Sequence, residues 1–107
     1  MNSQTRYVIF HRPGPKWQTG VNFRDQPGVR DHGMYYGALA EQGKIAIGGP
    51  FLSPDSGGMM ITVPGFALDE VQAMAAADPA VQSALLLYEI RPWMMVIEPP
   101  TSSSGDT

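Results

Sequence analysis

Residues 44–63, KIAIGGPFLSPDSGGMMITV, carry two apolar, β-prone runs either side of a turn. Lys44-Ile45-Ala46-Ile47 reads as one strand and Met59-Met60-Ile61-Thr62-Val63 as the next. Between them Ser53-Pro54-Asp55-Ser56-Gly57-Gly58 has the composition of a turn, and the two runs are close enough to form a hairpin. Gly48-Gly49-Pro50 interrupts the first run. Two glycines beside an apolar strand allow a bulge or the close approach of a ligand.

Working outward, each side of the hairpin offers a helix and then a strand. On the N-terminal side, residues 30–42 have helical periodicity. His32, Tyr35, Tyr36 and Leu39 fall at i, i+3, i+4, i+7 and share one face. Asp31 can cap or favour the first turn, and Gly43 suits the left-handed C′ position. Before it lies Tyr7-Val8-Ile9-Phe10, within a strand over residues 5–11. Residues 12–29, with Pro13, Gly14, Pro15, Gly20, Pro27 and Gly28, form a long loop that can serve as a pocket wall, and Trp17 and Phe23 supply apolar surface to pin it.

On the C-terminal side, Pro64-Gly65 breaks the strand and an alanine-rich helix covers residues 68–77, with Asp69 and Glu70 in its first turn. Val71, Met74, Ala75 and Asp78 share a face, and Pro79 blocks further helix. Residues 84–91 form the fourth strand. Pro92 restricts pairing, so Trp93–Ile97 reads as a separate edge or exchanged segment. The order is β-α-β-β-α-β, an α+β, ferredoxin-like split βαβ with an antiparallel sheet. Leu85 and Leu87 against Leu86, Tyr88 and Ile90 put bulk on both faces of the last strand. That favours a homodimer with sheet facing sheet, with Met59, Met60, Met94, Met95 and Trp93 filling or closing the interface.

The chain has 107 residues and is 43% hydrophobic, which suits one domain over residues 1–98 with a flexible tail over 99–107. No run of 18 apolar residues suggests a membrane span, and the N-terminus lacks a signal-peptide pattern. Without cysteine there is no disulfide or thiolate chemistry, which fits a cytoplasmic location. A net charge of -3 and scattered basic residues argue against nucleic-acid binding. Two histidines without clustered carboxylates are a poor metal signal, and neither GxxxxGK nor GxGxxG occurs, so no cofactor is expected.

His32 is the leading candidate for chemistry. Imidazole is the side chain that exchanges a proton near neutral pH, and at a helix start the dipole favours the neutral ring that acts as a base. The competing reading is a core-edge histidine bonded to backbone. Arg30 could bind a carboxylate or phenolate, or be a solvated arginine. Tyr35 and Tyr36 could hydrogen-bond a substrate or pack in the core. Gly49 and Pro50 could border a ligand site, although a tight bend or bulge explains them as well. His11, beside Arg12 near the end of the first strand, reads as an exposed strand-end histidine, with a second pocket role as the alternative.

Arg30-Asp31-His32, the stretch GKIAIGGPF over Gly43–Phe51, Asp78-Pro79 and Glu89-Ile90-Arg91-Pro92-Trp93 together resemble the YCII-related family, over about residues 5–97. The resemblance implies ferredoxin-like domains that dimerise into an α+β barrel, with a cleft lined by the first helix and the inner sheet surface. It implies His32 and Asp78 as the active-site histidine and aspartate. It also implies a small cofactor-independent lyase or isomerase acting on a small cyclic or phenolic substrate. The alternative is a noncatalytic dimeric small-molecule-binding or interaction domain. One topological expectation opposes a direct pair. If the two helices run parallel, His32 near the start of one and Asp78 at the end of the other stand far apart.

Overall fold

Thr5–Pro13 forms β1, whose apolar alternation sends Tyr7, Ile9 and His11 to one face and Val8 and Phe10 to the other. Val29–Glu41 is α1, Ile45–Pro50 is β2, Gly58–Thr62 is β3 and Leu68–Ala76 is α2. Pro79–Gln82 is a short α3, and Leu86–Met94 is β4. This structure, a computed structural model, describes residues 5–53 and 57–100. The expected turn over Ser53–Gly58 and the tail over 99–107 therefore lie partly outside the described residues.

The strands form one antiparallel sheet in the order β2-β3-β1-β4. That is the split-βαβ arrangement the hairpin predicts. The implied α+β barrel is corrected: among the described residues four strands leave β2 and β4 as open edges, and closure requires the edges to pair.

Three local expectations change. Gly48-Gly49-Pro50 continues β2 instead of interrupting it. The register irregularity falls between Ile45 and Ile47, making Ala46 the extra residue. Pro79 does not simply end α2. It occupies the first turn of α3, with Asp78 as N-cap, because its missing N–H is one the first turn cannot use. Pro92 lies within β4, paired opposite Tyr7, so residues 86–94 are one strand. An edge strand tolerates proline.

Both long helices cover one sheet face. Ile9, Tyr36, Leu39, Ile45, Val71 and Ala75 form the main core. Full burial of a side chain such as Ile9 stabilises the fold by about 1.5–3 kcal/mol. A smaller cluster of Ala80, Leu85 and Leu86 packs with Trp17 and Val29 under the loop. Among the described residues no helix is long and apolar enough to cross a membrane.

The strand directions overturn the expectation of parallel helices. β1 and β2 both oppose β3, so they run together; β3 and β4 both oppose β1 and run the other way. A helix returning from β1 to β2 therefore runs opposite to one returning from β3 to β4. The end of β1, the start of α1 and the end of α2 consequently meet at one end of the sheet.

Candidate active site

Three side chains converge there. His11 lies on the helix-facing side of β1, two residues beyond the core residue Ile9 and close to the end of the strand. His32 is in the first full turn of α1. Asp78 links α2 to α3. Its Oδ1 accepts the Ala80 backbone N–H at 2.9 Å, and its Oδ2 stands 2.6 Å from Nδ1 of His32. The aspartate is fully buried, and the His32 side chain retains slight exposure. A carboxylate oxygen accepts, so this bond is donated by the Nδ1 hydrogen, and Nε2 is the ring nitrogen that Asp78 does not engage. The expected separation of His32 and Asp78 is thus corrected to a direct contact.

For His11 the structure favours the alternative, a second pocket role, over the exposed strand-end histidine the sequence first suggests. The residue is 3% exposed. Its Nε2 lies 3.7 Å from Asp78 Oδ2 and 3.5 Å from the Tyr36 hydroxyl. Its Nδ1 is buried without a hydrogen-bond partner among the described residues. Burial, reinforced by His32 alongside, pushes its pKa down to about 4 despite the opposing pull of Asp78, so the ring is neutral at physiological pH. The alternation Tyr7, Ile9, His11 was the available signal: extending it two residues past the core assigns His11 to the inner face.

The rings of His11, His32 and Tyr36 stack edge to face, with centroids 4.8–5.4 Å apart. Burial, and next the negative charge of Asp78, push the Tyr36 hydroxyl well above its ordinary pKa, so it remains a hydrogen-bond donor. These groups line a cavity of about 450 Å³. Trp17, Phe23 and Val29 wall one side, and β2 from Ile45 to Pro50 borders another. Gly48 has a structural task here: a Cβ would stand 2.1 Å from the Met60 sulfur and 3.2 Å from the Met59 carbonyl. A Cβ on Gly49 would meet nothing within 4 Å.

The other sequence candidates divide. Tyr36, Gly49 and Pro50 border the cavity together with His32. Tyr35 does not; its hydroxyl donates to the Met74 carbonyl at 2.6 Å and ties α1 to α2. Arg30 is exposed and lies outside the cavity lining.

His11, His32 and Asp78 could also hold a metal ion, since one ligand atom from each lies within 4.8 Å of the others. Local spacing offers poor grounds for that, because the carboxylate arrives from 46 residues beyond His32. Two ligands of one tetrahedral zinc ion stand roughly 3.4 Å apart, from bond lengths near 2.1 Å. The 2.6 Å His32–Asp78 contact is instead the spacing of a shared hydrogen.

A YCII-related domain profile matches residues 5–94. The chain belongs to the YCII-related family. No curated protein matches the sequence significantly. Among solved structures, this YCII-related chain is similar to the 5-chloro-2-hydroxyhydroquinone dehydrochlorinase of Burkholderia phenoliruptrix, in complex with 2,5-dihydroxybenzoquinone. The TM-score is 0.58 at 21% identity, covering 82% of this chain and 92% of that one. A likeness at that identity establishes a shared fold.

Proposed function

We propose that the protein is a small cofactor-independent lyase or isomerase that uses His32 as a base on a small cyclic or phenolic substrate. The observation that carries this reading is the 2.6 Å contact between His32 Nδ1 and a fully buried Asp78, at the wall of an apolar cavity. With Nδ1 hydrogen directed at Asp78, Nε2 accepts a proton from the substrate. Asp78 holds the ring in that tautomer and stabilises the imidazolium that forms. Tyr36 offers a hydroxyl that stays protonated and can donate to a substrate oxygen. A planar ring suits a cavity walled by Trp17, Phe23 and glycine backbone.

Within this class, the dehydrochlorinase of similar fold suggests a chlorinated hydroxyquinol. Loss of HCl is balanced without an external oxidant. A proton from one ring hydroxyl moves to the chlorine-bearing carbon to give a keto tautomer; the base then takes the proton of a second hydroxyl, the C–Cl bond breaks with its electron pair leaving on chloride, and the ring becomes a hydroxyquinone. In this reading the protein works as a homodimer through the outer sheet face, where Phe10, Met59, Ile61 and Trp93 line a shallow apolar groove. Light scattering should then give twice the 11.6 kDa chain mass.

The test is turnover. Wild-type protein incubated with 5-chloro-2-hydroxyhydroquinone, and with a panel of quinols and lactones, should release chloride or isomerise a ring. His32→Ala should lose that activity with its fold intact. Full turnover in a folded His32→Ala variant would sink the assignment of the base. Ligand binding without turnover would favour the noncatalytic alternative.

A further inference from the structure

The loop between β1 and α1 is held by a buried amide. Gln26 is 3% exposed. Its Oε1 accepts the Gln18 N–H at 2.8 Å, and its Nε2 donates to the carbonyls of Gln18 at 2.8 Å and Val21 at 2.9 Å. Both backbone groups of Gln18 are thereby satisfied by one side chain, as a neighbouring strand would satisfy them. A buried amide with this many bonds fixes its surroundings, because any displacement leaves polar groups unpaired. The Gln26 backbone reaches further: its N–H donates to the Phe23 carbonyl, and its carbonyl accepts from Val29 at the start of α1. At its other end the loop is bonded to the α3–β4 junction, Gly14 to Leu85 and Lys16 to Ala84.

The two aromatic residues held this way, Trp17 and Phe23, line two cavities. On one side is the His32 cavity of about 450 Å³, and on the other an outer groove of about 900 Å³. We propose that Trp17 and Phe23 form a fixed partition that sets the largest ligand the His32 cavity admits, and that Gln26 is the positioning residue that holds it. The inference rests on the reading above only in taking this cavity as the ligand site. It needs no particular chemistry at His32. The ligand class it selects is a single compact ring with short substituents, since a longer chain meets the partition before it reaches the outer groove.

Binding of n-alkylbenzenes, from toluene to hexylbenzene, measured by calorimetry on the full chain, tests this. While each added methylene is buried, affinity should climb about fourfold per carbon. In the wild type the climb should stop at a short chain. In Trp17→Ala it should continue for at least one further methylene. In Gln26→Ala, measured where circular dichroism shows the variant folded, the stopping point should become less sharp, and the Gln18 amide should lose protection from hydrogen exchange. If Gln26→Ala does not fold, Gln26→Glu replaces it, keeping the acceptor for the Gln18 N–H and losing the donors to the Gln18 and Val21 carbonyls, with the same blurred stopping point and loss of protection expected. A stopping point unchanged in Trp17→Ala, an uninterrupted climb in the wild type, or no binding of any member would each overturn the partition. A chain-length limit in a protein that turns over no quinol would instead defeat the proposed chemistry and leave the partition standing.

Discussion

Asp78 uses its two carboxylate oxygens for different neighbours: Oδ1 accepts the Ala80 amide hydrogen at 2.9 Å, and Oδ2 meets Nδ1 of His32 at 2.6 Å. The helix cap orients the carboxylate, and the oriented carboxylate then fixes the imidazole tautomer. On the proposed reading stability and chemistry meet at this residue, and substitutions can separate them.

Asp78→Asn should preserve the fold, because asparagine is as good an N-cap as aspartate. Its amide nitrogen would donate to His32 Nδ1 and move the ring hydrogen to Nε2, abolishing the base. Turnover is expected to fall by about 10²–10⁴-fold with little change in melting temperature. Asp78→Ala should lose both activity and the cap, at about 0.5–2 kcal/mol in denaturant titration. An active Asp78→Asn variant would contradict the tautomer argument.

His11 should make the fold acid-sensitive. Its folded pKa of about 4 lies below the unfolded value of 6.5, so the unfolded chain binds the proton more readily between those values. Its contribution is complete above pH 6.5 and is lost as pH falls towards 4, amounting to about 3 kcal/mol in all. Urea titrations of wild type and His11→Gln at pH 7 and pH 4.5 should differ in slope with pH, the variant being flatter. Parallel pH profiles would show that His11 is not buried neutral.

Gly48 and Gly49 should respond oppositely to alanine. Gly48→Ala brings a methyl group onto the Met60 sulfur, near the end of a flexible side chain that can swing aside, and within 3.2 Å of the Met59 carbonyl, so stability should fall by about 1 kcal/mol, the low end of overpacking costs. Gly49→Ala meets no neighbour within 4 Å, so stability should hold while ligand affinity changes at the cavity border. Thermal melts and ligand titrations of the two variants check both halves.

Tyr35→Phe should weaken the fold by about 1 kcal/mol through loss of the bond to the Met74 carbonyl, with the effect appearing in stability and not in ligand affinity. A selective fall in affinity would return Tyr35 to the site.

The family and element order were legible in local sequence. The Lys44–Val63 hairpin, the His32-Tyr35-Tyr36-Leu39 stripe and Gly43 are short-range patterns, each set by periodicity or by a backbone requirement. The structure keeps them, with ends shifted by one to three residues, and Gly43 does end α1 with a left-handed backbone. Asp78-Pro79 shows where such reading fails. A proline stops one helix or starts another equally well, and only the chain beyond it decides. Here Asp78 capping α3 is what aims the second carboxylate oxygen at His32.

By itself, then, the sequence determined the four strands and two long helices, the inward face of α1 and His32 as the residue to watch, because these depend on neighbours within a few positions. Tertiary structure decided the rest. The order β2-β3-β1-β4 makes the two long helices antiparallel and gathers His11, His32 and Asp78 at one end of the sheet, across 67 residues of chain. It also leaves the sheet open. Neither outcome is encoded in local periodicity, since both follow from which strand lies beside which.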